Sequence, residues 1–310
     1  MKEYCFGIDI GGTTVKCGFF NTEGDLLEKW EIPTRTEENG SRILPDIAQT
    51  INDKIAERGL DKGEIEGIGI DVPGPVHEDG HVDFAVNLHW GVVDIVGEME
   101  KLTGIRTKAL NDANAAALGE CWKGGGAGYH NLIMVTIGTG IGGGIVINDK
   151  VIAGAHGAGG EIGHGHATEE LTEPCNCGNV GCLEQVASAT GIVRLAKMRL
   201  EKDDKPSVLR GRNFSAKDIW DAVKAGDEVA DEIAEKFGFY LGRELSIYTV
   251  VSDPQLIVIG GGMSKAGTVV LDYIQKYYRQ YAFAACKEVE FALATLGNDA
   301  GIYGAAKVVL

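Results

Sequence analysis

The chain has 310 residues, with 29 Lys and Arg against 45 Asp and Glu, and a formal charge of −16. This balance repels phosphate backbones and anionic lipids, and no Lys/Arg-rich run offsets it, so neither a nucleic-acid nor a membrane partner is expected. The length favours two lobes over one domain. The start "MKEYCFGIDIGG" lacks the apolar segment of a signal peptide, and no apolar stretch approaches about eighteen residues, which predicts a cytoplasmic protein.

Strand-like and helix-like stretches alternate from the first residues onward, which predicts an α/β protein. "YCFGIDI" and "VKCGFFN" are predicted strands around a glycine turn, and "LLEKWEI" is a third. The next predicted element is a helix that stops at Gly59, because isoleucines recur every fourth residue at Ile43, Ile47, Ile51 and Ile55.

The remaining elements continue the alternation. "IEGIGIDV" predicts a strand, and the apolar spacing from Val229 to Leu245 predicts a long helix. "PQLIVIGGGMS" predicts a buried strand that ends in glycines. No low-complexity segment or Pro/Gly/Ser linker separates the two halves of the chain.

Two segments of the chain resemble each other. "IDIGGTTVKCGFFN" (8–21) aligns with "VTIGTGIGGGIVIN" (135–148) as strand, glycine turn and second strand. One glycine turn alone is usually just a turn, but two in register predict a pair of hairpins whose backbone N–H groups hold a polyphosphate. Asp9 at the rim of the first hairpin predicts Mg²⁺ held through water, whereas the second hairpin has Thr136 there. Neither a Walker A loop nor a Rossmann fingerprint occurs.

Three of the seven cysteines form a cluster in "CNCGNVGC": Cys175, Cys177 and Cys182. In a cytosolic protein such a cluster indicates a metal site more than a disulfide, the alternative being reduced surface cysteines. A closed structural zinc site needs four ligands, so a histidine of the upstream "EIGHGH" would complete it, either His164 or His166. The other cysteines lie among apolar neighbours and are predicted to act as small hydrophobes: Cys5, Cys17, Cys121 and Cys286.

Eight successive motifs resemble the ROK family of sugar kinases, and most closely the ROK glucokinases of Gram-positive bacteria. They cover residues 4 to about 308 and are "DIGGTTVKCGFF", "VPGPV", "VNLHW", "NDANAAALGE", "IGTGIGGGIV", "GAGGEIGH", "CNCGNVGCLE" and "VIGGGMS". The resemblance implies a two-lobed, actin-like (ribonuclease H-like) ATPase fold with a structural zinc loop. It implies a small lobe of residues 1–112 with 297–310, and a large lobe of residues 113–296.

The resemblance further implies ATP-dependent transfer of a phosphoryl group to O6 of D-glucose, with Mg²⁺ as the catalytic ion and Zn²⁺ as the structural one. Asp112 is the implied catalytic base, although an Asp at a helix start can also be merely an N-cap. The implied sugar-binding residues are Gly74, Asn87, Asn111, Asp112, Glu161, His164 and Glu184. The implied nucleotide-binding residues are Asp9, Gly11, Gly12, Thr13, Thr14, Lys16, Gly138, Thr139, Gly140, Gly260, Gly261 and Gly262. Zinc would be held by His164, Cys175, Cys177 and Cys182.

Three residues depart from the family pattern. Asp71 stands where a small residue is expected, Leu110 where a polar one is expected, and His166 adds a second histidine beside the implied zinc ligand. The alternatives are an N-acylhexosamine kinase of the same family and, from another class, a non-catalytic sugar sensor or repressor. A repressor would need a DNA-binding module before the first hairpin, and this chain has no room for one there. The resemblance also implies a homodimer or homotetramer.

Overall fold

The computed structural model describes residues 2–310. In chain order, the first elements are β1 (Tyr4–Ile10), β2 (Thr14–Asn21), β3 (Leu26–Pro33), α1 (Glu37–Gly40), α2 (Ile43–Glu57), β4 (Ile65–Val72), β5 (His81–Val82), β6 (Val93–Asp94), α3 (Ile95–Thr103), β7 (Thr107–Asn111) and α4 (Asp112–Lys123). The following elements are β8 (Leu132–Ile137), β9 (Ile141–Ile147), β10 (Lys150–Val151), α5 (Glu184–Ala187), α6 (Ala189–Leu200), α7 (Ala216–Lys224), α8 (Glu228–Ser252), β11 (Leu256–Gly260), α9 (Val269–Tyr281), β12 (Glu290–Leu293) and α10 (Ala300–Val309).

The first large sheet has the strand order β3-β2-β1-β4-β7. Strands β1, β2 and β3 pair antiparallel, while β4 pairs parallel with both β1 and β7. β1 is almost entirely buried because elements cover both faces of the sheet, whereas the edge strand β3 has exposed residues at alternate positions. Gly69 of β4 allows α10 to lie directly on this sheet, since a Cβ there would come within 1.6 Å of the Ala305 carbonyl oxygen.

The second large sheet repeats this order as β10-β9-β8-β11-β12. Here too an antiparallel pair stands at one edge, β10 with β9, and parallel pairs join β8 to β11 and β11 to β12. The internal repeat predicted from the sequence therefore corresponds to β1–β2 in one sheet and β8–β9 in the other. The α/β prediction is confirmed.

The predicted helices are present where the apolar spacing placed them. α2 directs its isoleucines into the core that covers Phe6 and Ile8, and the chain leaves the helix at Gly59, whose φ is 64°. α8 has 25 residues and buries one apolar side from Val229 to Leu245. Among residues 2–310, no helix is both long and apolar enough to cross a membrane.

The chain divides into two compact units. Unit 1 comprises the residues up to His130, with Gly144–Gly160 and Leu296–Leu310, and unit 2 comprises Asn131–Gly143 and Glu161–Thr295. The resemblance had assigned residues 113–130 and 144–160 to the large lobe, but they pack within unit 1. The reason is α4, which packs against α10 and whose buried Glu120 accepts a hydrogen bond from Leu296 N at 2.8 Å.

Candidate active site

The junction between β7 and α4 presents two adjacent polar side chains. Asn111 is the N-cap of α4, because its Oδ1 accepts hydrogen bonds from Ala113 N at 2.9 Å and Asn114 N at 3.2 Å. Its Nδ2 donates to the Gly74 carbonyl oxygen at 3.1 Å. Asn111 therefore begins the helix and also fixes the "VPGPV" loop.

Asp112 is exposed at the first position of α4. Its Oδ1 accepts hydrogen bonds from Asn111 Nδ2 at 2.9 Å and from Ala113 N at 2.8 Å. Both donors reach the same oxygen, which orients the carboxylate. The sequence had left open that Asp112 is merely an N-cap, and the structure gives that position to Asn111.

The first glycine hairpin joins β1 to β2. Gly11 N donates to the Thr14 carbonyl oxygen at 3.1 Å, and Thr34 Oγ1 donates to the Gly11 carbonyl oxygen at 2.7 Å. Gly12 lies beside Asn87, since a Cβ on Gly12 would be 3.4 Å from the Asn87 carbonyl oxygen. The exposed Asn87 is thus close to the predicted phosphate-binding turn.

Asp9 and Lys16 face each other across the β1–β2 pair. Lys16 Nζ donates to Asp9 Oδ2 at 2.8 Å and to the Asn298 carbonyl oxygen at 3.1 Å. Both side chains are partly exposed, at 28% for Lys16 and 19% for Asp9, so a ligand can reach them.

Asp71 is a residue of this site that the sequence did not assign a role. It is the parallel neighbour of Asp9, it is completely buried, and neither carboxylate oxygen has a hydrogen-bond partner among residues 2–310. Burial, and then the charges of Asp9 and Asp112, raise the pKa of Asp71 well above its usual range. The departure from the family pattern was the one sequence signal that could have singled it out.

In unit 2, the cysteine cluster and one histidine come together. The ligand atoms of His164, Cys175, Cys177 and Cys182 all lie within 4.8 Å of one another. Cys175 Sγ is 3.8 Å from His164 Nδ1, and Cys177 Sγ is 3.6 Å from Cys182 Sγ. Tetrahedral ligands about 2.3 Å from a metal ion are separated by about 3.8 Å. The two shortest separations are close to that value, so the cluster could hold a metal ion.

His166 does not join this cluster. Its Nδ1 lies 3.0 Å from the Val180 carbonyl oxygen and its Nε2 lies 2.9 Å from Glu169 Oε1. The hydrogen bond with Glu169, together with that to Val180, raises the pKa of His166 above its ordinary value. Both ring nitrogens of His166 face acceptors, and of the two histidines it is His164 that lies with the three cysteines.

Two glutamates flank the four-residue cluster. Glu161 Oε2 lies 3.9 Å from His164 Nε2, the ring nitrogen that does not face Cys175. Glu184 Oε1 lies 3.7 Å from Cys175 Sγ, and its Oε2 accepts a hydrogen bond from Ile141 N at 3.0 Å. Glu184 thereby connects the cysteine cluster to the second glycine hairpin.

That second hairpin joins β8 to β9 through Gly138–Gly140. Gly138 N donates to the Gly140 carbonyl oxygen at 2.9 Å, and the start of α6 holds the turn through Ala189 N and the Thr190 hydroxyl. The glycine run after β11 lies against the end of β8, because a Cβ on Gly261 would be 2.6 Å from Ile137 N. Unit 2 thus brings together the predicted nucleotide-binding residues 138–140 and 260–262.

Comparison with known proteins identifies the family of the chain. Residues 5–310 match the family described as ROK. The chain belongs to the ROK family. It is 41% identical to a glucokinase of Halalkalibacterium halodurans, over 96% of this chain and 92% of that one, and 35% identical to a glucokinase of Thermotoga maritima, over 99% and 98%. A ROK family glucokinase from Streptomyces griseus, solved in complex with glucose and AMPPNP, is 32% identical over 98% of each chain, with a TM-score of 0.71.

Proposed function

We propose that the protein is an ATP-dependent glucokinase that transfers the γ-phosphoryl group of Mg-ATP to O6 of D-glucose. The observation that carries the proposal is the exposed, oriented carboxylate of Asp112 in a chain whose full-length relatives include glucokinases. The similar protein from Streptomyces griseus binds both glucose and an ATP analogue, which supports this pair of substrates.

In the proposed mechanism Asp112 is the base that accepts the proton of the sugar 6-hydroxyl. Phosphoryl transfer has a loose transition state, so the main tasks of the chain are to position the hydroxyl and the γ-phosphate and to offset charge. Asn111 keeps Asp112 oriented through the 2.9 Å hydrogen bond from its Nδ2. We further propose Gly74, Asn87, Asn111, Glu161, His164 and Glu184 as ligands of the sugar hydroxyls, since carboxylates and amides can each bridge adjacent hydroxyls.

Each glycine hairpin offers backbone N–H groups that suit the phosphates of a nucleotide. The proposed residues are Gly11, Gly12, Thr13, Thr14, Lys16, Gly138, Thr139, Gly140, Gly260, Gly261 and Gly262. Asp9 fits a role at Mg²⁺, because it is a partly exposed carboxylate beside the first hairpin and beside a buried carboxylate that lacks a partner. A bound Mg²⁺ would neutralise part of the charge on the β- and γ-phosphates.

The four-residue cluster fits a structural Zn²⁺, held by His164, Cys175, Cys177 and Cys182. Its thiols suit zinc. The backbone N–H of Asn179 lowers the pKa of the exposed Cys177, whereas burial raises the pKa of Cys175 and of Cys182, so a thiolate is favoured at Cys177 alone before a metal binds. With Zn²⁺ bound at Nδ1 of His164, the ring hydrogen would be on Nε2, and that nitrogen could donate to a sugar hydroxyl. Zinc thiolates persist in a reducing compartment, which agrees with a cytoplasmic location.

The test of the proposed function is the initial rate of ADP release on a panel of hexoses with Mg-ATP. Glucose should give the highest kcat/KM. If N-acetylmannosamine or N-acetylglucosamine exceeds glucose tenfold, the protein is instead an N-acylhexosamine kinase. Sugar binding without any sugar-dependent ADP release would identify a non-catalytic sensor.

We also propose that the protein forms a homodimer or homotetramer. Three apolar side chains near the end of α8 are more than half exposed: Ile247, Val250 and Val251, the last at 85%. Burying such residues against a second copy would remove apolar surface from water. Light scattering on a purified sample measures the assembly, and Val251→Asp should shift it toward the monomer.

A further inference from the structure

Asp71 and Asp9 occupy opposite positions on neighbouring parallel strands, so their side chains project from the same face of the sheet. The backbone of α10 passes beside both of them at Gly301. A Cβ on Gly301 would be 3.0 Å from Asp71 Oδ2 and 3.1 Å from Asp9 Oδ2. Because residue 301 has no side chain, nothing from α10 separates the two carboxylates.

An unpartnered buried carboxylate is costly. Its ionised form would lack hydrogen bonds on both oxygens in a fully buried position, which costs several kcal/mol unless a proton or a cation compensates it. The nearest protein cation is Lys16, and its ammonium group donates to Asp9 and to a main-chain oxygen. The side chain that faces Asp71 is Asp9, itself a carboxylate, so the pair needs a shared proton or a cation to offset its charge.

We propose that Asp71 is a direct ligand of the divalent cation that accompanies ATP, with Asp9 as the second carboxylate ligand. Mg²⁺ and Mn²⁺ prefer oxygen ligands, and two carboxylates supply the charge that a divalent ion needs. Asp9 keeps the cation accessible to phosphate oxygens, since it is the partly exposed member of the pair. The site deepens the proposed kinase function, because a direct carboxylate ligand at position 71 would hold the ion more firmly than Asp9 alone.

The test uses Mn²⁺ as the probe, followed by electron paramagnetic resonance, in the full-length protein with and without ADP. Wild type should bind about one Mn²⁺ per chain at this site. Asp71→Asn should weaken Mn²⁺ binding at least tenfold, because an amide keeps the shape of the carboxylate but not its charge. Asp53→Asn is the matched control, since Asp53 is an exposed residue of α2, and it should bind Mn²⁺ as wild type does.

Asp71→Asn also distinguishes a metal ion from a proton as the group that offsets the charge of Asp71. An amide imitates a protonated carboxyl group beside Asp9, so a protein that merely protonates Asp71 should bind Mn²⁺ equally well in both forms. Equal affinity, or no Mn²⁺ binding by wild type with ADP, would overturn the proposal. Asp71→Ser provides a second variant, since the family pattern has a small residue at this position. Circular dichroism checks that each variant is folded.

The experiments distinguish failure of the cation site from failure of the proposed glucokinase function. Phosphorylation of glucose by a wild type whose Mn²⁺ affinity does not depend on residue 71 would refute this inference alone. Loss of Mn²⁺ binding in Asp71→Asn, in a protein that phosphorylates no hexose, would refute the glucokinase proposal and leave the cation site standing.

Discussion

Asn111 and Asp112 are neighbours with separate tasks. The amide of Asn111 satisfies the N–H groups that open α4, so the carboxylate of Asp112 is not needed as the cap. A substitution at Asp112 can then test its proposed role as the base and leave the helix intact, because the first-turn donors keep their acceptor in Asn111.

For Asp112→Asn we expect kcat to fall by at least ~10²-fold, the low end for a positioned acid–base group, with glucose affinity largely kept. Steady-state rates and isothermal titration with glucose measure the two quantities. Asp94→Asn is the matched control, because Asp94 caps α3 and Asn caps a helix equally well. A near-normal kcat at saturating glucose would remove Asp112 from the role of base.

The position of Asp112 could be predicted at the residue scale because a strand, a polar pair and an Ala-rich helix follow each other in the sequence. The surroundings of Asp71 could not be predicted from the sequence. Its isolation depends on Gly301, which is distant in sequence and approaches only once α10 packs on β1 and β4. The choice between His164 and His166 had the same origin, since Glu169 and Val180 engage His166 only in the folded loop.

At the scale of elements, the segment from His164 to Cys182 is a loop whose geometry depends on its four clustered side chains. We expect about one zinc per chain in protein purified without added metal, and loss of that zinc in Cys177→Ser. Because His164 and Glu161 lie together, glucose binding should weaken more than ATP binding.

Elemental analysis and separate titrations with glucose and an ATP analogue test this expectation. Cys121→Ser is the control, since Cys121 lies outside the cluster and a hydroxyl can still donate to the Tyr129 carbonyl oxygen, which the thiol contacts at 3.2 Å. A metal-free protein with full activity would exclude a structural zinc.

Glu184 links the loop to the second glycine hairpin, so its removal should affect both substrates. Glu184→Ala loses the acceptor for Ile141 N, and we expect the KM values for glucose and for ATP each to rise roughly tenfold, in line with the loss of a charge-assisted hydrogen bond. Glu184→Gln keeps an acceptor oxygen and should raise the KM for ATP less. If only the KM for glucose changes in Glu184→Ala, the link to the hairpin has no role in nucleotide binding.

At the scale of the whole molecule, two sheets share one strand order. The sequence revealed the first two strands of each copy because glycine turns mark them. The other strands of the two sheets share no such motif, so their correspondence is evident from the strand pairing and not from the sequence. The division into units likewise depends on the packing of α4 against α10, which no local pattern indicates.

Buried thiols in unit 1 give the molecule a sensitivity to alkali. Burial raises the pKa of Cys5 and of Cys17 to about 12, above the 9.0 of an accessible thiol. A raised folded-state pKa means that the unfolded chain loses these protons first, so the stabilising contribution is complete below about pH 9 and is lost as the pH rises toward 12.

We therefore expect the free energy of unfolding of wild type to fall more steeply between pH 9 and pH 11 than that of the Cys5→Ala, Cys17→Ala double variant. Denaturant titrations at several pH values measure the slopes, and Cys286→Ala serves as a single-site comparison. Parallel slopes in wild type and double variant would show that these thiols do not contribute to the alkaline loss.

The helix α10 also constrains the order in which the protein can fold during synthesis. It lies on β1 and β4, with Ala305 against Gly69, and it is made after all the other elements of the two units. Until α10 emerges from the ribosome, the face of the unit 1 sheet that α10 covers stays exposed. Unit 2, in contrast, is complete once Thr295 has emerged. We expect β1 and β4 to depend on chaperones until α10 has emerged, the reverse of the usual order in which the part of the chain made first folds first.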